Sequence, residues 1–281
     1  MIAIERVRTP EKVHPNFRGA KRVAWNKELL NRQKDIASGN FEAHNFIQSR
    51  WKAVKEQLFA ESNNKCAYCE ATTKIVSPGD VEHFRPKSKY WWLAYCYDNY
   101  LVSCSVCNST FKGNKFPLLD ESKALVSPNI TASSTKAEVD SLAKIINPDP
   151  IDNTGLSLVD FVKAYQTERP LLLNPYFDNP SEYYAWEADN VLKHVILIPQ
   201  KSKLKPFIEA AEVNYGLNRK ELKELRYYHY FLYNTFYRTL NDDRISPQTR
   251  LETEAAIVVM KDKSAPFSGM VRYFDLKNRG V

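Results

Sequence analysis

The sequence contains no run of apolar residues that approaches the ~20 needed to cross a bilayer. Its opening stretch, MIAIERVRTPEK, carries charged residues within the first eight positions and no continuous apolar segment, so it does not resemble a secretory signal. Internal repeats and long low-complexity tracts are also missing. These absences argue against a membrane-spanning or repeat protein, and we expect a cytoplasmic chain without a membrane partner.

The residues that are present are typical of a folded protein with a sizeable core. Of the 281 residues, 43% are hydrophobic and 12% aromatic. The net charge of +7 favours a polyanionic partner, and residues 1–60 hold most of the excess, with twelve Lys or Arg against six Asp or Glu. This basic segment is either a phosphate-contacting surface or a solvated helix face, and the sequence leaves both interpretations open.

Local patterns predict helices in the N-terminal segment and a β-rich module after it. We expect helices over Ala24–Ile36 and Glu42–Phe59, the second because apolar side chains recur along one helical stripe. The members of this stripe are Ile47, Trp51, Val54 and Leu58. Ser77–Gly79 then supplies a turn between two β-prone runs.

A linker or surface insertion is expected after residue 120, where Ser, Thr, Asn and Pro become frequent. Within it, Thr135 and Glu138 match a capping box and predict a helix that continues through Ile146. A strand is expected over Asn190–Ile198.

The C-terminal third is predicted to be mostly helical. Asn218 and Glu221 can cap one helix, and Ser246 with the proline after it can start another that reaches Lys261. Seven aromatic side chains surround the first of these helices between Leu225 and Tyr237, too many to face one ligand. We interpret them as core or as a partner-docking surface rather than as a base-stacking platform.

Four of the five cysteines form two C-x-x-C pairs, Cys66 with Cys69 and Cys104 with Cys107. Two such pairs are what a tetrahedral zinc site with four sulfur ligands requires. The alternative is a pair of disulfides, which a reducing compartment and the short C-x-x-C loop both disfavour. Such a closed zinc site stabilises a fold without catalysing a reaction, and Cys96 is expected to be a small buried side chain outside it.

A second pattern lies between the cysteine pairs, where Asp80, Glu82 and His83 follow one another within four residues. On a strand, Asp80 and Glu82 face one side and His83 the other. A carboxylate can hold Mg²⁺ or another hard divalent ion against a scissile phosphate, while a neutral imidazole deprotonates the attacking water. A single histidine on a strand is also commonly a packed residue, so the motif alone leaves both interpretations open.

The order of these elements resembles that of the zinc-braced HNH nucleases. C-x-x-C is followed by Glu-His-x-x-Pro, then by Asn99, and then by C-x-x-C with Asn108 directly after it and Lys112 beyond. The resemblance implies a ββα fold in which a hairpin and a helix grip one divalent metal.

The resemblance also implies a role for each matching residue. His83 would be the general base, and Glu82 and Asn108 would be ligands of a catalytic Mg²⁺ or Mn²⁺, with Asp80 as a further oxygen donor. Asn99 would fix the hairpin loop and so orient the base. Glu82 stands where many relatives have Asp, and Asn108 takes the place of the final His or Asn, which leaves the metal preference open. The candidate phosphate contacts are Arg85, Lys87 and Lys112.

With its flanks included, the chain resembles more closely the PtuB-like HNH subunits of Septu-type and retron-associated antiphage systems. This likeness rests on CAYCE, DVEHFRPKSKYWWLAY and SCSVCNSTFKGNKFPL, followed by LLLNPYFDNP and YGLNRKELKELR. It implies a PtuA-like ATPase of the ABC or SMC-related type as partner. It also implies the degradation of nucleic acid, with DNA as the expected substrate, during phage infection.

We therefore expect an α+β protein with a zinc-braced ββα-metal core. The expected units are an N-terminal basic helical segment (1–61), the nuclease core (62–120), a linker or insertion (121–155) and a mostly helical, partner-docking region (156–281). Two other functions stay open. One is a non-catalytic zinc module that binds nucleic acid or protein, and the other is a restriction-type HNH nuclease, although residues 120–281 contain no recognisable helix-turn-helix.

Overall fold

In the described part of the chain, helices predominate and the strands form two small antiparallel sheets, which confirms the expected α+β class. The computed structural model describes residues 1–152 and 155–280. The helices in these ranges are α1 (Gly19–Ala37), α2 (Gln48–Lys52), α3 (Lys55–Glu61), α4 (Lys136–Ile145), α5 (Leu158–Glu168), α6 (Lys205–Tyr215), α7 (Lys220–Leu240), α8 (Pro247–Lys261) and α9 (Ser268–Arg279). The strands are β1 (Asp80–His83), β2 (Tyr100–Ser103), β3 (Tyr184–Asp189) and β4 (His194–Pro199). None of the described helices combines the length and apolarity that a bilayer crossing requires.

Helix α1 covers the predicted helix and begins five residues before it. Its N-terminus receives a carboxylate from a distant part of the chain, since the Gly19 amide donates to Asp149 Oδ2 at 2.6 Å and Arg22 Nε pairs with the same oxygen at 3.3 Å. A negative charge at this position satisfies free backbone donors and the helix dipole. The early start is therefore a tertiary effect that local sequence does not contain.

The single helix predicted over Glu42–Phe59 is wrong, because α2 and α3 are two short helices and the residues before them are not helical. The His44 ring stacks on Trp91 and on Phe46, with ring centres 4.8 and 5.5 Å apart. His44 Nε2 also hydrogen-bonds to Gln33 Oε1 at 2.9 Å. These contacts with α1 and the loop around Trp91 hold residues 41–47 outside a helix.

Strands β1 and β2 form an antiparallel hairpin in which Asp80 pairs with Ser103 and His83 with Tyr100. The turn before β1 lies at 74–76, three residues earlier than predicted, and Gly79 in the stretch after it has φ +59. A Cβ on this residue would lie 2.6 Å from the Phe59 ring, so the position requires glycine. A π-helical segment, Val106–Lys112, follows β2; Cys104 lies between the two and Cys107 lies in the segment.

Helix α4 begins as predicted, with Thr135 and Glu138 forming both hydrogen bonds of a capping box. It packs against α1, where Asn26 Nδ2 donates to the Ala143 carbonyl at 2.8 Å. The predicted boundaries of the linker, and of the other units, stay predictions.

The strand predicted over Asn190–Ile198 is only partly right. Its first four residues form the turn of a hairpin between β3 and β4, and β3 was not predicted. The Asp189 carboxylate accepts from the amides of Val191 and Leu192 at 2.8 Å each, which fixes the turn. Lys193 completes it with φ +54.

The helical C-terminal third is largely as expected. Helix α8 starts at Pro247 and ends at Lys261, with Ser246 Oγ accepting from the Thr249 amide at 3.1 Å. Asn218 does not cap α7, because its side chain instead bonds both backbone groups of Leu197 on β4, at 2.8 and 3.0 Å. Capping by Asn218 is therefore a wrong prediction.

The aromatic helix α7 divides its rings between the core and the surface. Tyr233 is fully buried, whereas Tyr228 and Phe231 are 59% and 54% exposed beside Leu192 of the β3–β4 turn. A core role is confirmed for Tyr233, and partner docking by the exposed rings stays a prediction.

Candidate active site and metal centre

The four cysteines of the two C-x-x-C pairs converge on one point. Their sulfur atoms all lie within 4.8 Å of one another, and all four are free thiols. Tetrahedral zinc with Zn–S bonds of ~2.3 Å needs sulfurs ~3.8 Å apart, a small adjustment from this arrangement. In the described part of the chain, these residues form the one group of three or more His, Cys, Asp or Glu side chains placed to share an ion. The cluster could therefore hold a metal ion such as zinc.

Backbone hydrogen bonds set the two halves of the cysteine cluster. The Glu70 amide donates to the Cys66 carbonyl at 3.0 Å, and Glu70 itself takes φ +62, which closes the first loop. The Ala67 amide donates to Val102 of β2 at 3.0 Å and attaches that loop to the hairpin. The second pair lies at the start of the π-helical segment, where the Cys107 amide points at Cys104 Sγ from 3.4 Å.

The four thiols differ in how readily they ionise. Hydrogen bonding with Cys104 and Cys107 lowers the pKa of Cys69, whereas burial raises the pKa of Cys66. Four adjacent thiols do not all ionise together in the absence of a cation, because each thiolate disfavours the next. Metal coordination removes this conflict, since metal-bound thiols are deprotonated.

Cys96 lies outside the cluster and is buried, as predicted. Burial raises the pKa of its thiol to about 12, so it stays protonated and behaves as a small apolar side chain.

Two arginines near the start of α7 bring positive charge to the cysteine cluster. Arg219 Nη1 lies 3.7 Å from Cys107 Sγ and also donates to the Gly216 carbonyl at 3.1 Å. Arg226 is buried over the Trp186 ring, and burial lowers its pKa to about 10, an effect that the Cys69 thiolate opposes. The C-terminal helices are thus electrostatically coupled to the cluster.

A groove of about 330 Å³ opens beside the β1–β2 hairpin. Five residues predicted for the site line it: Asp80, Glu82, His83, Lys87 and Asn108. Three others, Asn99, Arg85 and Lys112, do not line the groove and lie in the interior.

His83 is held in a defined protonation state at the floor of the groove. The ring is only 6% exposed, and its Nε2 donates to the Ala94 carbonyl at 3.0 Å. Because a carbonyl can only accept, Nε2 carries the proton and Nδ1 keeps a free lone pair. Burial, reinforced by the charge of Lys87, lowers the pKa of His83 to about 3. The ring is therefore neutral at physiological pH and can accept a proton at Nδ1.

Glu82 is buried beside a lysine that balances its charge. Lys112 Nζ pairs with Glu82 Oε1 and also donates to the His83 carbonyl at 3.1 Å. Burial raises the pKa of Glu82, and Lys112 opposes that rise. Oε1 has this lysine as its charged partner and no hydrogen bond besides.

Asn99 braces the segment that connects β1 to β2. Its Oδ1 accepts from the Arg85 amide at 2.8 Å, and its Nδ2 donates to the carbonyls of Arg85 and Leu93 at 2.9 and 3.3 Å. These bonds fix the segment between the two strands, while an effect of Asn99 on the base and on a reaction stays a prediction.

The candidate phosphate contacts divide into two groups. Arg85 is 1% exposed and pairs with Glu168 Oε2 at 2.7 Å, and Lys112 is fully buried against Glu82. Buried carboxylates balance both charges inside the fold, so we assign neither residue a phosphate contact. Lys87 is half-buried at the groove and remains a candidate.

Sequence reasoning missed four groove residues that α2 and α3 supply. These are Gln48, Trp51, Lys52 and Lys55. The excess of basic residues in positions 1–60 was the only signal for the two lysines, and it did not show which lysines would reach the site.

The chain is similar to proteins described as Septu protein PtuB. The protein from Bacillus mycoides (strain KBAB4) is 29% identical over 188 residues, which covers 62% of this chain and 50% of the relative. The protein from Bacillus thuringiensis is 32% identical over 104 residues, covering 36% of this chain and 40% of the relative. The chain thus spans about half the length of the curated relatives it matches. The likeness to PtuB that the motifs indicated is confirmed.

No protein-family model matches the chain, and no solved structure matches it.

Proposed function

We propose that this chain is a metal-dependent endonuclease of the HNH type, which hydrolyses phosphodiester bonds in nucleic acid, with DNA as the expected substrate. The observation that carries the proposal is the groove at the hairpin, where a neutral histidine, two carboxylates and an amide meet basic side chains. Phosphodiester hydrolysis needs a base for the water, oxygen ligands for a hard cation and positive charge for the backbone. The groove offers all three.

His83 is the proposed general base. With its Nε2–H held by the Ala94 carbonyl, Nδ1 accepts a proton as the water oxygen attacks phosphorus and the bond to the leaving oxygen breaks. The lowered pKa of about 3 keeps the ring unprotonated at neutral pH, and the same shift makes the imidazole a weaker base. Asn99 holds the Leu93 carbonyl one residue before Ala94 and so steadies the acceptor that orients the ring.

Glu82, Asn108 and Asp80 are the proposed ligands of a catalytic Mg²⁺ or Mn²⁺. Such ions take oxygen donors, commonly one or two carboxylates completed by substrate phosphate and water. When bound, the ion stabilises the negative charge that develops on the phosphate and the leaving oxygen. Lys112 supports this role because its ammonium favours the ionised form of the buried Glu82.

The cysteine cluster is the proposed site of a structural zinc ion. The first pair is attached to β2, and the second begins the π-helical segment that carries Asn108. Zinc would therefore fix the hairpin and the segment relative to each other, which sets the distance between Glu82 and Asn108.

The biological role that we propose is Septu-type antiphage defence, with a PtuA-like ATPase of the ABC or SMC-related type as partner. The likeness to PtuB supports this role, over about half of the relatives' length. Copurification of the chain with a co-expressed PtuA-like ATPase tests the partnership, and failure to form a complex would leave only the nuclease chemistry.

The nuclease proposal is tested with His83→Ala. This variant should fold, retain zinc and bind nucleic acid, because phosphate contacts come from lysines that it leaves unchanged. Cleavage of plasmid or single-stranded DNA with Mg²⁺ or Mn²⁺ should fall ~10²-fold or more, the usual contribution of a general base. His229→Ala is the matched control, since His229 packs on Phe267 away from the groove and its loss should not change the rate.

Metal ligands should behave differently from the base. Asn108→Ala should also lose activity, but excess Mg²⁺ or Mn²⁺ should partly restore it while leaving His83→Ala inactive. Glu82→Gln is preferred over Glu82→Ala because it leaves an oxygen beside the buried Lys112. If His83→Ala, with any partner it needs, cuts as fast as the unmodified protein, the nuclease assignment is wrong and a binding zinc module becomes the better account.

A further inference from the structure

One carbonyl beside the groove accepts two side-chain hydrogen bonds. The Ala94 oxygen accepts from His83 Nε2 at 3.0 Å and from the Tyr100 hydroxyl at 2.6 Å. Both donors come from the hairpin, in which Tyr100 is the direct partner of His83 across the two strands. A carbonyl oxygen has two lone pairs, so both bonds can form at once.

Two aromatic rings also enclose the imidazole. Trp51 and Tyr100 meet the His83 ring nearly perpendicularly, with ring centres 4.9 and 5.0 Å away. Edge-to-face contacts of this kind are favourable and restrict the rotation of a buried ring. Tyr100 therefore touches His83 twice, through its ring directly and through its hydroxyl by way of Ala94.

The position of the carbonyl decides which imidazole nitrogen carries the proton. With the Ala94 oxygen fixed toward Nε2, the Nε2–H tautomer gains a hydrogen bond. The Nδ1–H tautomer would instead point the Nε2 lone pair at the lone pair of the carbonyl oxygen, which is repulsive. A carbonyl free to turn away would weaken this preference and leave part of the population with Nδ1 already protonated.

We propose that Tyr100 is a positioning residue for the base. Its hydroxyl holds the Ala94 carbonyl in place and thereby keeps His83 in the tautomer with its proton on Nε2. The inference rests on the proposed function for its catalytic consequence, but not for its structural one. Tyr100 is completely buried and does not line the groove, so it acts through His83 and not on the substrate.

The test compares Tyr100→Phe with Tyr90→Phe. Each variant removes one hydroxyl from a buried ring whose hydrogen bond is 2.6 Å long, but Tyr90 donates to Glu168 rather than to Ala94. Long-range ¹H–¹⁵N correlations of histidine-labelled protein at pH 7.5 report the tautomer directly. The unmodified protein and Tyr90→Phe should show His83 with its proton on Nε2, while Tyr100→Phe should show a mixture.

Activity supplies the second measurement. Tyr100→Phe should lower kcat by ~3–10-fold with KM and zinc content unchanged, in line with the loss of one ordinary hydrogen bond. A proton found on Nδ1 in the unmodified protein would overturn the proposal, as would a tautomer and a kcat in Tyr100→Phe that equal those of Tyr90→Phe. If the tautomer shifts as expected but the unmodified protein cuts no nucleic acid, the positioning role stands and the nuclease proposal fails.

Discussion

His44 and His83 both have lowered pKa values, but only His83 lies at the groove. His44 is half-buried between Trp91 and Phe46, where burial and the nearby charge of Arg32 lower its pKa from 6.5 to about 4. Its neutral form is therefore the one that the folded chain favours. This residue contributes to stability rather than to chemistry.

Acid should destabilise the fold partly through His44. Below pH 6.5 the unfolded chain binds a proton on this ring that the folded chain rejects until about pH 4. The contribution of His44 to the free energy of unfolding is thus complete above pH 6.5 and is lost as the pH falls from 6.5 to about 4. His44→Tyr keeps an aromatic ring without this titration, so urea unfolding at pH 7 and pH 5 should show a smaller loss of unfolding free energy than the unmodified chain does. An equal loss in the two proteins would contradict this role of His44.

At the scale of elements, the short helices α2 and α3 matter more than their length suggests. They place Trp51 against His83 and bring Lys52 and Lys55 to the rim of the groove. Basic side chains at such a rim contact phosphates without reading sequence. The basic N-terminal segment is thereby joined to the proposed active site.

Removing these two lysines should weaken nucleic-acid binding in a salt-dependent way. Lys52→Ala with Lys55→Ala should raise Kd and reduce the slope of log Kd against log salt by ~1–2, since each phosphate contact contributes roughly one counterion. Anisotropy titrations in the His83→Ala background avoid cleavage. The control pair, Lys203→Ala with Lys205→Ala, lies outside the groove and should leave the slope unchanged. Equal slopes for both pairs would place the phosphate contacts elsewhere.

Elements with local start signals were predictable from sequence. Helix α8 begins where Ser246 precedes a proline, and α4 begins at its capping box, because both signals act within four residues. The prediction of a helix over 42–59 was wrong because His44 stacks on Trp91, a residue far along the chain. The strand over 190–198 was predicted to begin four residues too early. Val191 and Leu192 look β-prone, although they form the turn between β3 and β4 and stay exposed.

The same division applies to the candidate site. The motif selected Glu82, His83 and Asn108 as candidates from residue type and spacing, and all three line the groove, while their roles stay predictions. It could not show that Lys112 turns inward to balance Glu82, because that depends on how the π-helical segment packs on the hairpin. For the same reason Arg85 was misjudged, as its partner Glu168 lies on α5.

At the scale of the whole molecule, the C-terminal helices close on the loop of the first cysteine pair. Lys65 Nζ donates to the Ala265 carbonyl at 2.8 Å, and Glu70 Oε1 accepts from Ser268 and Gly269 at the start of α9, at 3.2 and 3.3 Å. On its other side, Arg219 reaches Cys107. The cysteine cluster therefore lies where the two halves of the chain meet.

Losing a proposed zinc ligand should consequently affect the entire protein. Changing Cys66, Cys69, Cys104 or Cys107 to Ser should remove stoichiometric zinc. It should also lower Tm and make the protein insoluble, because structural zinc contributes ~10 kcal/mol of folding free energy. Cys96→Ser should keep one zinc per chain, and metal analysis with thermal unfolding distinguishes the two outcomes. Zinc lost from Cys96→Ser alone would overturn the ligand assignment.

The spacing of the cysteine pairs also has a topological consequence. A metal ion held by all four sulfurs would close the chain between Cys69 and Cys104 into a ring, and that ring contains β1, the connecting segment and all of β2. Ile75 and Val76 project from it and are 84% and 80% exposed, which makes this bend a natural point for a protease to cut. After cleavage there, the two fragments would stay associated through the metal and the β1–β2 pairing. They would separate only when a chelator removed the metal and a denaturant disrupted the hairpin.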